Sequence, residues 1–96
     1  MTAYFIIQVD VHDVAAFEPY RLKGPGVISQ FGGEYIVRGG PFTKLEGVHP
    51  LSRQVVIRFP NKESAMRWYE SEEYRDLRAL RQSCATTNMI LVEGVA

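Results

Sequence analysis

The sequence predicts an α+β domain in the order βαββαβ, an antiparallel sheet with its helices on one face. Three observations carry that reading. Four runs, "AYFIIQVDV" (3–11), "GEYIVRG" (33–39), "SRQVVIRFP" (52–60) and "TTNMILVEG" (86–94), have the β-branched and aromatic composition of strands. Two segments, 14–31 and 61–84, repeat apolar residues at helical spacing. One helical segment follows the first strand and the other precedes the last, the split arrangement that right-handed crossovers produce. The 96 residues suit one domain, and no linker, repeat or low-complexity stretch divides them.

The first strand begins apolar on both faces, as expected of a sheet centre covered on both sides or of a strand at a subunit junction. Asp13 is placed to cap the helix that follows. In "VAAFEPYRLKGPGVISQF", Pro19 and the Gly24-Pro25-Gly26 triplet interrupt the helical pattern, so two helical pieces are expected. Gly32 is placed to end the second. "PFTKLEG" (41–47) reads as a short extension of the second strand or a small extra strand. In the third strand Arg58 shares the Val56 face and marks the wetter side. Asn61 caps the next helix, and Ser71, followed by Glu72 and Glu73, caps another, so two helices joined by a bend are expected over 61–84.

Composition excludes several classes. Eleven basic residues balance eleven acidic ones without a basic block, which argues against an electrostatically driven nucleic-acid binder. The single cysteine, Cys84, cannot build a disulfide framework. The N-terminus has no basic region and its apolar run ends at Gln8, unlike a signal peptide. No apolar stretch is long enough to span a membrane. A soluble cytoplasmic protein is the resulting expectation. Two helices on one face leave the other face of an apolar sheet to be covered, and a homodimer pressing two sheets together would cover it.

The segments "FGGEYIVRGG", "LEG", "VVIRFP", "AMRWYESEEYRDLRALR" and "MILVEG" together resemble the DUF1330 family, within the dimeric α+β barrel group. The resemblance covers essentially the whole chain. It implies a ferredoxin-like fold and a homodimer whose two sheets form a barrel. The wider group includes heme-handling proteins, small monooxygenases, muconolactone isomerase-like enzymes and stress-response proteins. The positions that match the family's recurring ones are Arg38 with Gly39 and Gly40, then Glu46, Trp68, Tyr69, Ser71, Tyr74 and Arg81. The early "KGPGVISQFGG" is richer in glycine and more apolar than the family's usual polar helix.

The candidate ligand-binding residues are therefore Arg38, Glu46, Trp68, Tyr69, Tyr74 and Arg81, with Gly39 and Gly40 shaping the loop. A guanidinium offers a planar fork that matches carboxylate or phosphate. The "RGG" sequence lacks the spacing and the lysine of a phosphate loop, so its glycines serve positive backbone angles or a close strand approach. Glu46 could pair with Arg38 or leave it facing a cavity shared with Tyr69 and Arg81. His12 and His49 make no helical pair, so no metal and no cofactor are expected. No Ser-His-Asp set or dinucleotide fingerprint is present. The readings are a dimer that binds a small anionic or aromatic metabolite in a cleft between sheet and helices, a non-catalytic structural or interaction dimer, or a cofactor-free isomerase or monooxygenase-like enzyme.

Overall fold

Strand β1 (Ala3–Val11) turns Ala3, Phe5, Ile7 and Val9 inward, all four buried, and Tyr4, Ile6, Gln8 and Asp10 outward. That period of two organises the sheet. In the computed structural model, which describes residues 1–95, β1 lies between β3 (Arg53–Phe59) and β4 (Ala85–Glu93). The edge strand β2 (Glu34–Arg38) completes the order β2-β3-β1-β4, with every pair antiparallel. Helices α1 (Val14–Gln30), α2 (Lys62–Glu70) and α3 (Glu72–Cys84) supply the rest. This is the ferredoxin-like α+β arrangement, with its second helical unit divided in two.

The division falls at Ser71, as the sequence predicts. Its extended backbone ends α2, its hydroxyl donates to the Trp68 carbonyl at 2.8 Å, and the same oxygen accepts from the Tyr74 N–H at 3.2 Å. One residue thus closes a helix and caps the next. Asp13 and Asn61 cap α1 and α2 in the same way, accepting from Ala16 and Ser64.

Helix α1 departs from expectation: it is one helix, not two pieces. Pro19 and Pro25 each remove a single donor, at about 3 kcal/mol in a helix interior. Burial of Phe17 and Ile28, with the partly buried Tyr20, Val27 and Phe31 beside them, offsets that at about 1.5–3 kcal/mol per fully buried side chain. The helix ends where expected. Gly32, at φ 83°, donates to the Ser29 carbonyl and Gly33 donates to the Ile28 carbonyl, both at 3.0 Å. That bond pair is the Schellman termination, which favours glycine at the left-handed position.

The second departure is residues 41–47, which form no strand. The whole stretch from Gly39 to Ser52 is an irregular loop. Pro41 has no N–H to extend the edge, and Gly39 (φ 69°) and Gly47 (φ 88°) bend the chain away. Two side chains of β1 hold the returning end of this loop. The Ser52 N–H donates to Asp10 at 2.6 Å and the Leu51 N–H to Gln8 at 3.2 Å.

The core lies between sheet and helices and centres on Trp68, which is fully buried. Its ring meets Tyr74 at 4.2 Å, Phe5 at 5.1 Å and Phe59 at 5.7 Å between centroids. Among the described residues nothing covers the opposite face of the sheet. Ile6, Val37, Ile90 and Val92 are exposed there, beside the ion pair of Arg58 with Glu34.

Two glycines test this account in opposite directions. A Cβ on Gly33 would sit 2.6 Å from the Phe59 ring and 2.7 Å from Ile28, whereas one on Gly26 would meet nothing within 4 Å. Gly33→Ala is expected to cost about 1–3 kcal/mol by overpacking. Gly26→Ala, inside α1, is expected to add about 0.5–1 kcal/mol through helix propensity and unfolded-state entropy. Urea denaturation of both variants checks the pair, and equal shifts would contradict it.

Candidate functional site

A bulge in β2 decides what lines the inner face. Tyr35 pairs with Ile57, Val37 with Val56 and Arg38 with Val55, so Ile36 is the extra residue. In a regular strand, positions 35 and 38 would point to opposite faces. The extra residue turns both toward the helices. The Arg38 guanidinium lies over the Tyr35 ring, 4.6 Å from its centroid, and its Nη2 donates to the Arg21 carbonyl of α1 at 3.4 Å. That carbonyl has no helical donor because the residue four positions on is Pro25. The proline that seemed to break the helix instead leaves an acceptor for the arginine of the neighbouring strand.

Beneath Arg38 opens a cavity of about 290 Å³ between α1, α3 and the sheet. Its floor is apolar: Ile7 and Val9 of β1, Val55 and Ile57 of β3, and Met89 of β4. Phe17, Tyr20 and Tyr35 add aromatic walls. Arg21, Arg38, Arg53 and Arg81 supply the charge, and among the described residues no carboxylate stands on the lining. Glu18 pairs with Arg21. Arg38 and Arg53 have no carboxylate partner among the described residues.

Arg81 differs from the other three. It is 6% exposed, and its Nε is buried without a hydrogen-bond partner. Burial opposes its charge, but interactions with Tyr74, Tyr20 and Tyr69 outweigh that and raise its pKa above the ordinary arginine value. The charge attraction needs ionised phenols, so at neutral pH Arg81 is cationic among neutral tyrosine hydroxyls, which soften its burial without supplying a counter-ion. The Tyr20 and Tyr74 hydroxyls bond each other at 2.7 Å. Burial pushes the Tyr20 hydroxyl well above its ordinary value, and the neighbouring Tyr74 pushes it further. Burial also raises Tyr35, against the pull of Arg38.

The residues singled out from sequence separate into groups. Arg38, Gly39 and Arg81 line the cavity. Gly39 holds φ 69° and donates to the Gln54 carbonyl at 2.8 Å, which extends the β2–β3 pairing by one bond. Gly40 is not on the lining, and neither is Glu46, which is exposed in the 39–52 loop beside Phe42 and Lys44 and makes no ion pair with Arg38. Trp68 and Tyr74 are buried in the core, from which Tyr74 reaches Tyr20. Tyr69 packs on Phe5 and under Arg78, outside the lining. Sequence reasoning missed Tyr20, Arg21, Tyr35 and Arg53. Tyr20 shares a helix face with Phe17, a visible signal. Tyr35 and Arg38 could be placed on one face only by knowing of the bulge.

Comparison with known proteins agrees with the fold. The family model DUF1330, a domain of unknown function, matches residues 2–95. No curated protein matches the sequence significantly. Among solved structures, RPA0582 from Rhodopseudomonas palustris, a protein of unknown function, superposes with a TM-score of 0.80 at 15% identity, covering 99% of this chain and 83% of that one. SnoaB from Streptomyces nogalater, described as a cofactor-independent oxygenase, gives 0.67 at 11% identity, with 99% and 94% covered. A putative antibiotic biosynthesis monooxygenase from Nitrosomonas europaea gives 0.61 at 15% identity over the whole of both chains. At these identities the likeness is one of fold. No helix among the described residues is long and apolar enough to cross a membrane.

The tyrosine pair makes an alkaline prediction. The folded chain holds the Tyr20 proton more tightly than the unfolded chain, whose phenol titrates near pH 10. The resulting stability is complete below about pH 10 and is lost as pH rises toward the folded value. Tyr20→Phe removes this titration. It is expected to lose about 1–3 kcal/mol at neutral pH, because Tyr74 loses its partner, and to decline less steeply than wild type between about pH 10 and 12. Denaturation midpoints across that range check it, and parallel declines would refute it.

Proposed function

The chain belongs to the DUF1330 family, and from the chemistry of its cavity we propose that it binds a small organic anion with an apolar body between sheet and helices. One observation carries this reading: Arg81 is buried and cationic, on the wall of a cavity on which no acid stands among the described residues. An unpaired buried charge costs several kcal/mol. A bound carboxylate would answer it with short charge-assisted hydrogen bonds, which the planar guanidinium can make in pairs. The apolar floor takes a hydrocarbon body, and about 290 Å³ is the small end of the ligand-pocket range.

A second reading, a cofactor-free oxygenase or isomerase acting in the same cavity, is supported by the buried Tyr20–Tyr74 hydroxyl pair at its wall and by the fold shared with SnoaB. The bare sheet face supports assembly as a homodimer. Ile6, Val37, Ile90 and Val92 form an apolar surface that a second sheet would cover. The same surface serves the non-catalytic alternative, an interaction dimer whose cavity is incidental.

Two measurements test these readings. Benzoate is expected to raise the wild-type melting temperature, and Arg81→Met to weaken benzoate about 10–100-fold. The same variant is expected to be at least as stable as wild type without ligand, because an apolar side chain replaces an uncompensated charge. Undiminished benzoate binding by Arg81→Met would remove the proposed role of Arg81. For assembly, sedimentation should show a dimer at micromolar concentration that Ile6→Glu with Ile90→Glu converts to monomer, and a wild-type monomer would defeat the dimer.

A further inference from the structure

The four arginines do not form one patch. Arg81 is buried and belongs to α3, the helix that packs on α1 and runs directly into β4. Arg38 and Arg53 are exposed and belong to β2, the far edge strand, and to β3 beside it. Arg21 lies with this outer group, but Glu18 already answers its charge. Two unanswered cationic zones remain, one internal and one at the opening.

The floor below them is hydrocarbon, with the Tyr20 and Tyr35 hydroxyls confined to the walls. Arg38 pairs across the sheet with Val55, Val55 with Ile7 and Ile7 with Met89, so one transverse row runs from the charged edge through three apolar cavity residues. No side-chain amide, hydroxyl or carboxylate on that row could satisfy a hydroxylated spacer. At about 30 Å³ per water-sized volume the cavity holds about ten such volumes, room for one ring or a short chain.

We propose that the ligand is a dianion of two carboxylates on a short hydrocarbon or single-ring spacer, one received by buried Arg81 and the other by Arg38 and Arg53 at the opening. The inference rests on the anion-binding reading above and narrows it to a substrate class. Sugar phosphates fit poorly, because their hydroxyls would lie unpaired on the Val55–Ile7–Met89 row. Arg38 is prepared for its part: its ring contact with Tyr35 and its bond to the Arg21 carbonyl hold the guanidinium in place while using one of its five donors.

Isothermal titration calorimetry of the full chain with benzoate, isophthalate, terephthalate, glutarate and sulfate tests it. One or more of the three diacids is expected to bind at least about tenfold tighter than benzoate, the gain of one further charge-assisted contact. Sulfate, a dianion without a spacer, is expected to gain nothing over benzoate. In Arg38→Gln with Arg53→Gln, both exposed positions, the ratio of diacid to benzoate affinity is expected to fall toward one. If benzoate matches every diacid in wild type, or the ratio survives the double substitution, the two-zone inference is overturned while anion binding stands. If sulfate matches the diacids, the site reads charge alone and the spacer is overturned. If no organic acid binds, both readings fall together.

Discussion

The alternation of β1 is the constraint on which the rest depends. Like β3 it has neighbours on both sides, and every inward residue from Ala3 to Val9 is buried. Slipping its register by one residue would send Phe5 and Ile7 outward and bring Ile6 and Gln8 into the core. With that strand set, the helices must take the inner face. The cavity floor is then the stretch of that face left uncovered between α1 and α3. Ile7 and Val9 therefore belong at once to the core pattern and to the site.

Against that regularity stand two local irregularities, and both serve the same arginine. The bulge at Ile36 brings Arg38 to the face that Tyr35 already occupies. Pro25 withdraws a donor from α1 and leaves the Arg21 carbonyl for Arg38. A regular edge strand beside an uninterrupted helix would offer neither the orientation nor the acceptor. Strand bulges and helix prolines are expensive unless the surroundings hold them. Here α1 holds together because its buried side chains outweigh two lost donors.

What could be read from the sequence followed the range of the interactions involved. Strands, caps and the Ser71 break depend on residues within a few positions of one another, and "ESEEY" carries its own helix-start chemistry. The continuity of α1 was not legible, because local propensity argues for a break and only packing against the sheet and α3 overrules it. The 41–47 segment misled for the opposite reason: its composition permits a strand, but Pro41 lacks a donor and Gly39 and Gly47 turn the chain away from the edge. At the site, Arg38 could be named from residue type and position, and Arg81 from the family resemblance. Tyr69 and Tyr74, which act on Arg81, were named with them, but Tyr20 and Tyr35 on the wall were not, because the bulge that turns Tyr35 inward leaves no local signal.

RPA0582, SnoaB and the Nitrosomonas protein share this architecture at 11–15% identity, and their descriptions range from unknown function to oxygenase. So wide a range on one backbone means that chemistry must be argued from the side chains that the backbone holds. In this chain the unusual ones are the arginines. A domain of 96 residues has a modest core, and placing an unpaired guanidinium inside it works against stability. A hydrophobic side chain at position 81 would fill the same space without that penalty. Ion-pairing among the described residues does not explain the charge, because none of their acids lines the cavity. The arrangement makes physical sense when the counter-charge arrives from outside, so that ligand binding returns the stability that folding alone gives up.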